Sequence, residues 1–311
     1  MTKFPIFKHF SVFPLFIVIA SILWGVDGVI LRPALYSLPV ATVVFIEHSL
    51  AFLFMLPFLI YEWKKLKEIK LSSYGYFFLV ALFGGALGTL AIVKGLFYVN
   101  FASLSAVILL QKLQPIFAIF LAWLILKEKL PKKFFGYAAL ALLGAYAVAF
   151  PGLLPNFNTG DKTSIAAMFG LLAAICWGAS TVFSKRALRE TNFRIGTYLR
   201  FGITTLIMLA IMLSTGGQAA IPQVTGSQLT YFFIIIFSSG GVAMLLYYFG
   251  LKHTKASVST ICELGLPLSA VVLEYFVYGK LMNATQFLGA AVLLFAIIMV
   301  ARMREAITEN T

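Results

Sequence analysis

Acidic residues are scarce in this sequence, with 11 Asp and Glu among 311 positions beside 24 Lys and Arg. Charged residues make up only 11% and hydrophobic residues 61%, at a mean hydropathy of +0.97. A soluble domain is about one quarter charged, so this composition excludes a water-soluble fold. The alternation of apolar and polar residues that a membrane β-barrel needs is also missing. Histidine is rare (3) and cysteine rarer still (2), and both cysteines, Cys176 and Cys262, fall inside apolar runs as small core residues. No His/Cys cluster has metal-ligand spacing, so no metal or other cofactor is implied. There is no H-E-x-x-H motif, no nucleophile elbow and no acidic cluster in any loop, so nothing points to an enzyme. The net charge of +13 would suit nucleic acid. The basic residues lie in short turns between apolar runs, however, where membrane proteins keep the charges that set their topology.

Long apolar runs are abundant. About 20 residues cross a bilayer as a helix. Ten such runs are predicted: 13–31, 40–61, 74–97, 102–126, 133–150, 165–184, 196–213, 229–250, 256–278 and 284–302. The expected fold class is therefore an all-α integral membrane protein with ten transmembrane helices. Lys3 and Lys8 precede the first run, which continues past Trp24 to Leu31 without a small-residue cleavage site. It reads as a retained span rather than a signal peptide. Stretches 151–164 and 214–228 carry Pro, Gly, Asn and Thr and read as loops. Lys and Arg fall 18 on one side of the membrane and three (Arg32, Lys162, Lys280) on the other. That bias places both termini in the cytoplasm and the protein in the cell (inner) membrane.

The chain also repeats itself. Trp24-Gly25 in the first span matches Trp177-Gly178 in the sixth, and Ile46-Glu47 in the second matches Leu199-Arg200 in the seventh. The fourth span, Ala102-Ser103 to Leu130, matches Ala256-Ser257 to Leu281, with Gln111 opposite Glu263 and Pro115 opposite Pro267. Two halves, 13–150 and 165–302, hold five spans each. An odd number means the second half enters from the opposite side, giving a 5+5 inverted-topology repeat whose substrate site lies near the midplane.

These duplicated motifs, together with Lys127-Glu128-Lys129-Leu130, Gly136, Lys252 to Ser257, Gly279-Lys280-Leu281, Gln286 and Gly289, carry a resemblance. The chain resembles the drug/metabolite transporter superfamily with two EamA-type domains. The resemblance implies a secondary transporter of small organic metabolites working by alternating access. The chain departs from the family pattern twice. Glu47 stands where an arginine is common, and Lys280 where a glutamate is common.

Polar residues inside spans are costly and therefore candidates for function. Glu47 and Lys112 lie about 10 and 15 Å from the outer ends of their spans, and Arg200 and Glu263 about 6 and 10 Å from the inner ends. Matching depth and opposite charge predict two pairs, Glu47–Lys112 and Arg200–Glu263, that either bind substrate or lock helices. Gln111 and Gln114 flank Lys112. Asp27 and Lys94 are expected to snorkel outward, Glu274 to reach the interface, and His48 to be packed or hydrogen-bonded. Trp24 and Trp177 either wall a cavity or pack beside Gly25 and Gly178. Pro115 and Pro267 are expected to kink their helices and free carbonyls at Gln111 and Glu263. Gly84-Gly85 and Gly240-Gly241 permit close helix approach. The candidate substrate site is thus Trp24, Glu47, Gln111, Lys112, Gln114, Trp177, Arg200 and Glu263. The expected substrate is an amino acid or similar amphiphile, with protons as a candidate coupling ion. A vitamin or nucleotide-linked substrate is the alternative, and a membrane enzyme or receptor the rival class.

Overall fold

The computed structural model describes residues 11–98, 105–150, 152–154, 162–279 and 281–303. Lys3, Lys8, Ala102, Ser103, Lys280 and Arg304 lie outside the described residues. Among the described residues every regular element is helical. Nine stretches are long and apolar enough to cross a membrane: α1 (Phe13–Leu35), α2 (Val40–Tyr61), α3 (Leu71–Gly95), α4 (Val107–Leu126), α6 (Ser164–Leu188), α7 (Phe193–Ser214), α8 (Gly226–His253), α9 (Ala256–Tyr278) and α10 (Ala284–Arg302). Between α4 and α6 lies α5 (Lys132–Ala149), a tenth helix of 18 residues that opens on two lysines. At 1.5 Å per residue, the 22 residues of α2 rise about 33 Å, enough for the hydrocarbon core of about 30 Å.

The halves are interleaved rather than set side by side. Helix α1 packs on α8 and α9, and its repeat partner α6 packs on α3 and α4. The other main pairings, α2 with α7 and α5 with α10, also cross between halves. Glycines allow these approaches. A methyl group added at Gly25 would sit 3.1 Å from the Ser269 Cβ and 3.3 Å from the Leu266 carbonyl on α9. One added at the repeat-related Gly178 would sit 3.0 Å from the Ala118 nitrogen and 3.1 Å from the Gln114 carbonyl on α4. Both W-G motifs are thus close-packing points, as one of the two expectations held.

Several helices are not continuous. In α4 the α-helix runs Ser105–Gln111 and resumes at Gln114–Leu126, and in α9 it runs Ala256–Cys262 and resumes at Gly265–Tyr278. Both gaps fall just ahead of a proline, Pro115 or Pro267, which cannot donate to the carbonyl four residues earlier. At each, two residues leave regular α-helix for tighter turns while the backbone stays right-handed, with Leu113 and Leu264 donating to the Leu110 and Ile261 carbonyls at 3.1 Å. Wide π turns interrupt α1 at Asp27–Leu31, α3 at Ala81–Leu87 and α8 at Ile236–Gly240. The second contains Gly84 and Gly85, and the third ends at Gly240, with Gly241 opening the helix that follows. Beyond its π turn, α1 tightens into a 3-10 turn at Arg32–Leu35, so Arg32 belongs to the first span and not to a loop. The 214–228 segment, expected as loop, carries a 3-10 turn at Gly217–Gln223, and the Thr42 hydroxyl donates to the Gly217 carbonyl at 2.8 Å.

Loops sort onto two faces. On one, Arg194 meets Glu62 at 2.9 Å, Lys70 meets Glu190 at 3.5 Å, and Lys255 Nζ donates to the Lys129 carbonyl at 2.9 Å. On the other, Gln228 Nε2 donates to the Ser37 hydroxyl at 2.9 Å and the Tyr278 hydroxyl to the Val29 carbonyl at 3.0 Å. The basic connections of the sequence thus gather on a single face.

Candidate functional site

At the level of the two helix breaks lies a cavity of about 500 Å³. Small-molecule sites run roughly from 300 to 1,000 Å³. All eight sequence-nominated residues, Trp24, Glu47, Gln111, Lys112, Gln114, Trp177, Arg200 and Glu263, line it. The inverted repeat explains this convergence, because each residue and its repeat partner approach the same centre from opposite halves.

The charges pair differently from the expectation. Glu47 does not meet Lys112. Both of its carboxylate oxygens lie near Arg32 Nη1, at 2.8 and 3.0 Å. The same guanidinium donates to Asp27 Oδ2, through Nε at 3.2 Å and also through Nη2. Arg32 opens the 3-10 turn that follows the π turn of α1, and its guanidinium sits between these two carboxylates. Asp27 does not snorkel outward either. It is only 8% exposed, and among the described residues its Oδ1 has no hydrogen-bond partner. A spacing of five between Asp27 and Arg32, suited to a π turn, was the signal in the sequence that pointed here.

Glu263 does not meet Arg200. Its Oε2 accepts from Gln114 Nε2 at 2.8 Å, and its Oε1 accepts from Tyr247 at 2.7 Å and from Thr181 and Ser259 at 3.4 Å. These donors come from α4, α6, α8 and α9, and all are neutral. Arg200 instead lies over the Tyr248 ring, 5.9 Å from its centre, with a long 3.5 Å contact to its hydroxyl. The Lys112 backbone nitrogen donates to the Ile108 carbonyl at 3.0 Å, but among the described residues its side-chain amine has no hydrogen-bond or ion-pair partner. His48 Nδ1 donates to the Val44 carbonyl at 2.9 Å, and the ring packs 5.2 Å from that of Phe201 and also lines the cavity. Lys94 is exposed beside the Phe169 ring at 5.4 Å, as a snorkelling lysine would be.

Aromatic walls complete the site. The Trp24 ring lies 5.2 Å from that of Tyr247, and Trp177 reaches across to Gly88, where an added methyl would come within 2.6 Å of its Nε1. Tyr247 and Thr181 had no sequence signal, because neither is charged nor repeated.

A central, mostly apolar cavity with charged groups in its wall, inside an interleaved, inverted repeat of membrane-crossing helices, defines a multi-pass membrane transporter. The chain belongs to the EamA-like transporter family, whose model matches residues 13–150 and 164–302. It is similar to the riboflavin transporter ImpX of Fusobacterium nucleatum, at 45% identity over 93% of this chain and 97% of that one. It is also similar to a riboflavin transporter of Rhizobium johnstonii, at 27% identity over 93% and 90% of the two chains. A solved crystal structure shares the fold at a TM-score of 0.76 and 14% identity, covering 95% of this chain and 98% of that one.

Proposed function

We propose that this transporter carries riboflavin or a close flavin relative, in place of the amino acid expected from the sequence. The observation that carries the reading is the 45% identity, along nearly the whole length, to a riboflavin transporter. The chemistry of the cavity supports it. Riboflavin is neutral and joins a flat three-ring system to a chain of hydroxyls. Trp24, Trp177 and Tyr247 supply aromatic surfaces for the rings. Gln111 and Lys112, at the α4 break, offer polar groups to the imide edge. The cavity volume of about 500 Å³ suits a molecule of this size.

In this reading the two halves rock about the broken helices, exposing the cavity alternately to each side. The basic face is cytoplasmic. Glu263 is the proton carrier. Neutralising it strands no cation, because its four partners are uncharged, whereas neutralising Asp27 or Glu47 would weaken the hold on the buried Arg32.

The test is binding by purified protein, followed by uptake. Riboflavin at 100 times its Kd raises stability by about 2.7 kcal/mol, visible as a thermal shift. Expression in a riboflavin auxotroph that lacks its own carrier restores growth at low external riboflavin. A thermal shift from amino acids with none from riboflavin overturns the proposal.

A further inference from the structure

The cavity is chemically lopsided in a way the repeat does not require. Asp27 and Glu47 lie in the first half. The residues 153 positions on are Ser180 and Arg200, and Arg32 corresponds to Lys185, whose amine is spent on the Leu251 and Lys252 carbonyls at 2.9 and 2.8 Å. The π turn at Asp27–Leu31 also has no counterpart, since α-helix runs unbroken over Thr163–Leu188. One end of the cavity therefore holds a group the other lacks, two carboxylates bracketing one guanidinium.

That group is built but incompletely satisfied. Asp27 and Glu47 both line the cavity and are each 8% exposed, and among the described residues the buried Asp27 Oδ1 has no hydrogen-bond partner. A buried carboxylate oxygen without a donor is destabilising, and an incoming donor relieves that cost. Carboxylate oxygens accept, and the guanidinium donates, so the cluster matches a chain of adjacent hydroxyls, each of which does both. Trp24 stands three residues before Asp27 on the same helix and lines the same cavity. An aromatic wall beside a polyol-reading cluster mirrors a flat ring system joined to a polyol.

We propose that Asp27, Arg32 and Glu47 form a polyol subsite that reads the hydroxylated side chain of the substrate and fixes its direction in the cavity. This rests on the flavin reading above. The test compares riboflavin with lumiflavin, which keeps the rings and has a methyl group instead of the hydroxylated chain. Quenching of tryptophan fluorescence in purified protein reports both affinities. The wild type binds riboflavin at least tenfold more tightly than lumiflavin. In Asp27→Asn and Glu47→Gln that ratio falls below threefold, through loss of riboflavin affinity. Equal wild-type affinities overturn the subsite whatever the variants do, and so does an unchanged ratio in both folded variants. Failure of the wild type to bind either flavin instead overturns the flavin reading, so the two failures are distinct.

Discussion

Gln114 Nε2 donates to Glu263 Oε2 at 2.8 Å and so ties the break in α4 to the break in α9. These two helices are repeat partners, and the bond joins the halves beside the interruption in each. A carboxylate with four neutral donors is a junction for four helices. Glu263→Ala removes an acceptor from Gln114 and Ser259, while Thr181 and Tyr247 keep each other at 3.0 Å, and costs about 1–3 kcal/mol, read as a lower melting temperature in detergent. Glu263→Gln keeps the shape. It is expected to retain substrate exchange between vesicle interior and exterior while losing stimulation by an imposed proton gradient. Gradient stimulation equal to that of the wild type would remove Glu263 as the proton carrier.

The tryptophans of the two W-G motifs make a separate prediction. Stacking of a flat heterocycle on an aromatic side chain is worth about 1–3 kcal/mol. Trp24→Ala and Trp177→Ala should each weaken riboflavin binding tenfold or more, measured by quenching of riboflavin's own fluorescence. The Phe variants should recover most of the loss. Variants with undiminished affinity would mean the rings serve only to pack the helices.

Glu128 links the end of α4 to the start of α9. Its carboxylate accepts from the Ala256 and Ser257 backbone nitrogens at 2.8 and 3.1 Å and from the Ser257 hydroxyl at 2.6 Å, capping the start of α9. Replacing such a cap with alanine costs about 1–2 kcal/mol. Glu128→Ala should therefore lower the melting temperature, and it should raise the labelling of a cysteine placed at Ser259 by a reagent added on the basic face. Unchanged labelling would limit Glu128 to a structural cap.

Lys127, just before this cap, has φ of 56°, and its repeat partner Gly279 has φ of 65°. A left-handed conformation costs a non-glycine residue about 1–2 kcal/mol, partly offset by the greater freedom of glycine in the unfolded chain. Lys127→Gly is thus expected to stabilise the protein by about 0.5–1 kcal/mol, measured by thermal unfolding, with transport preserved.

The α5–α10 pair offers a test of the packing alone. A methyl added at Gly144 would lie 2.7 Å from the Leu293 nitrogen, and one at Gly289 would lie 2.7 Å from the Ala147 Cβ. Neither glycine lines the cavity. Gly144→Val should cost about 1–3 kcal/mol and lower the yield of folded protein, while the folded fraction keeps the wild-type riboflavin Kd.

Much of this was legible in one dimension. Apolar run length gives the spans, because a bilayer sets the length of whatever crosses it. The alternation of basic turns predicts which loops share a face, and Lys70–Glu190 and Lys255–Lys129 meet on that face. The duplication of Trp24-Gly25, Pro115 and Glu47 at Trp177-Gly178, Pro267 and Arg200 gives the inverted repeat, and with it the convergence of all eight nominated residues on one cavity. The partners of the charges were decided only in three dimensions. Depth along a helix follows from residue count, but the direction a side chain faces depends on every turn before it. A π turn at Asp27–Leu31 rotates Arg32 towards Glu47, and a break at Glu263 opens it to Gln114 on another helix. Lys112 and Arg200, matched to those carboxylates by depth alone, are left facing the cavity and Tyr248 instead.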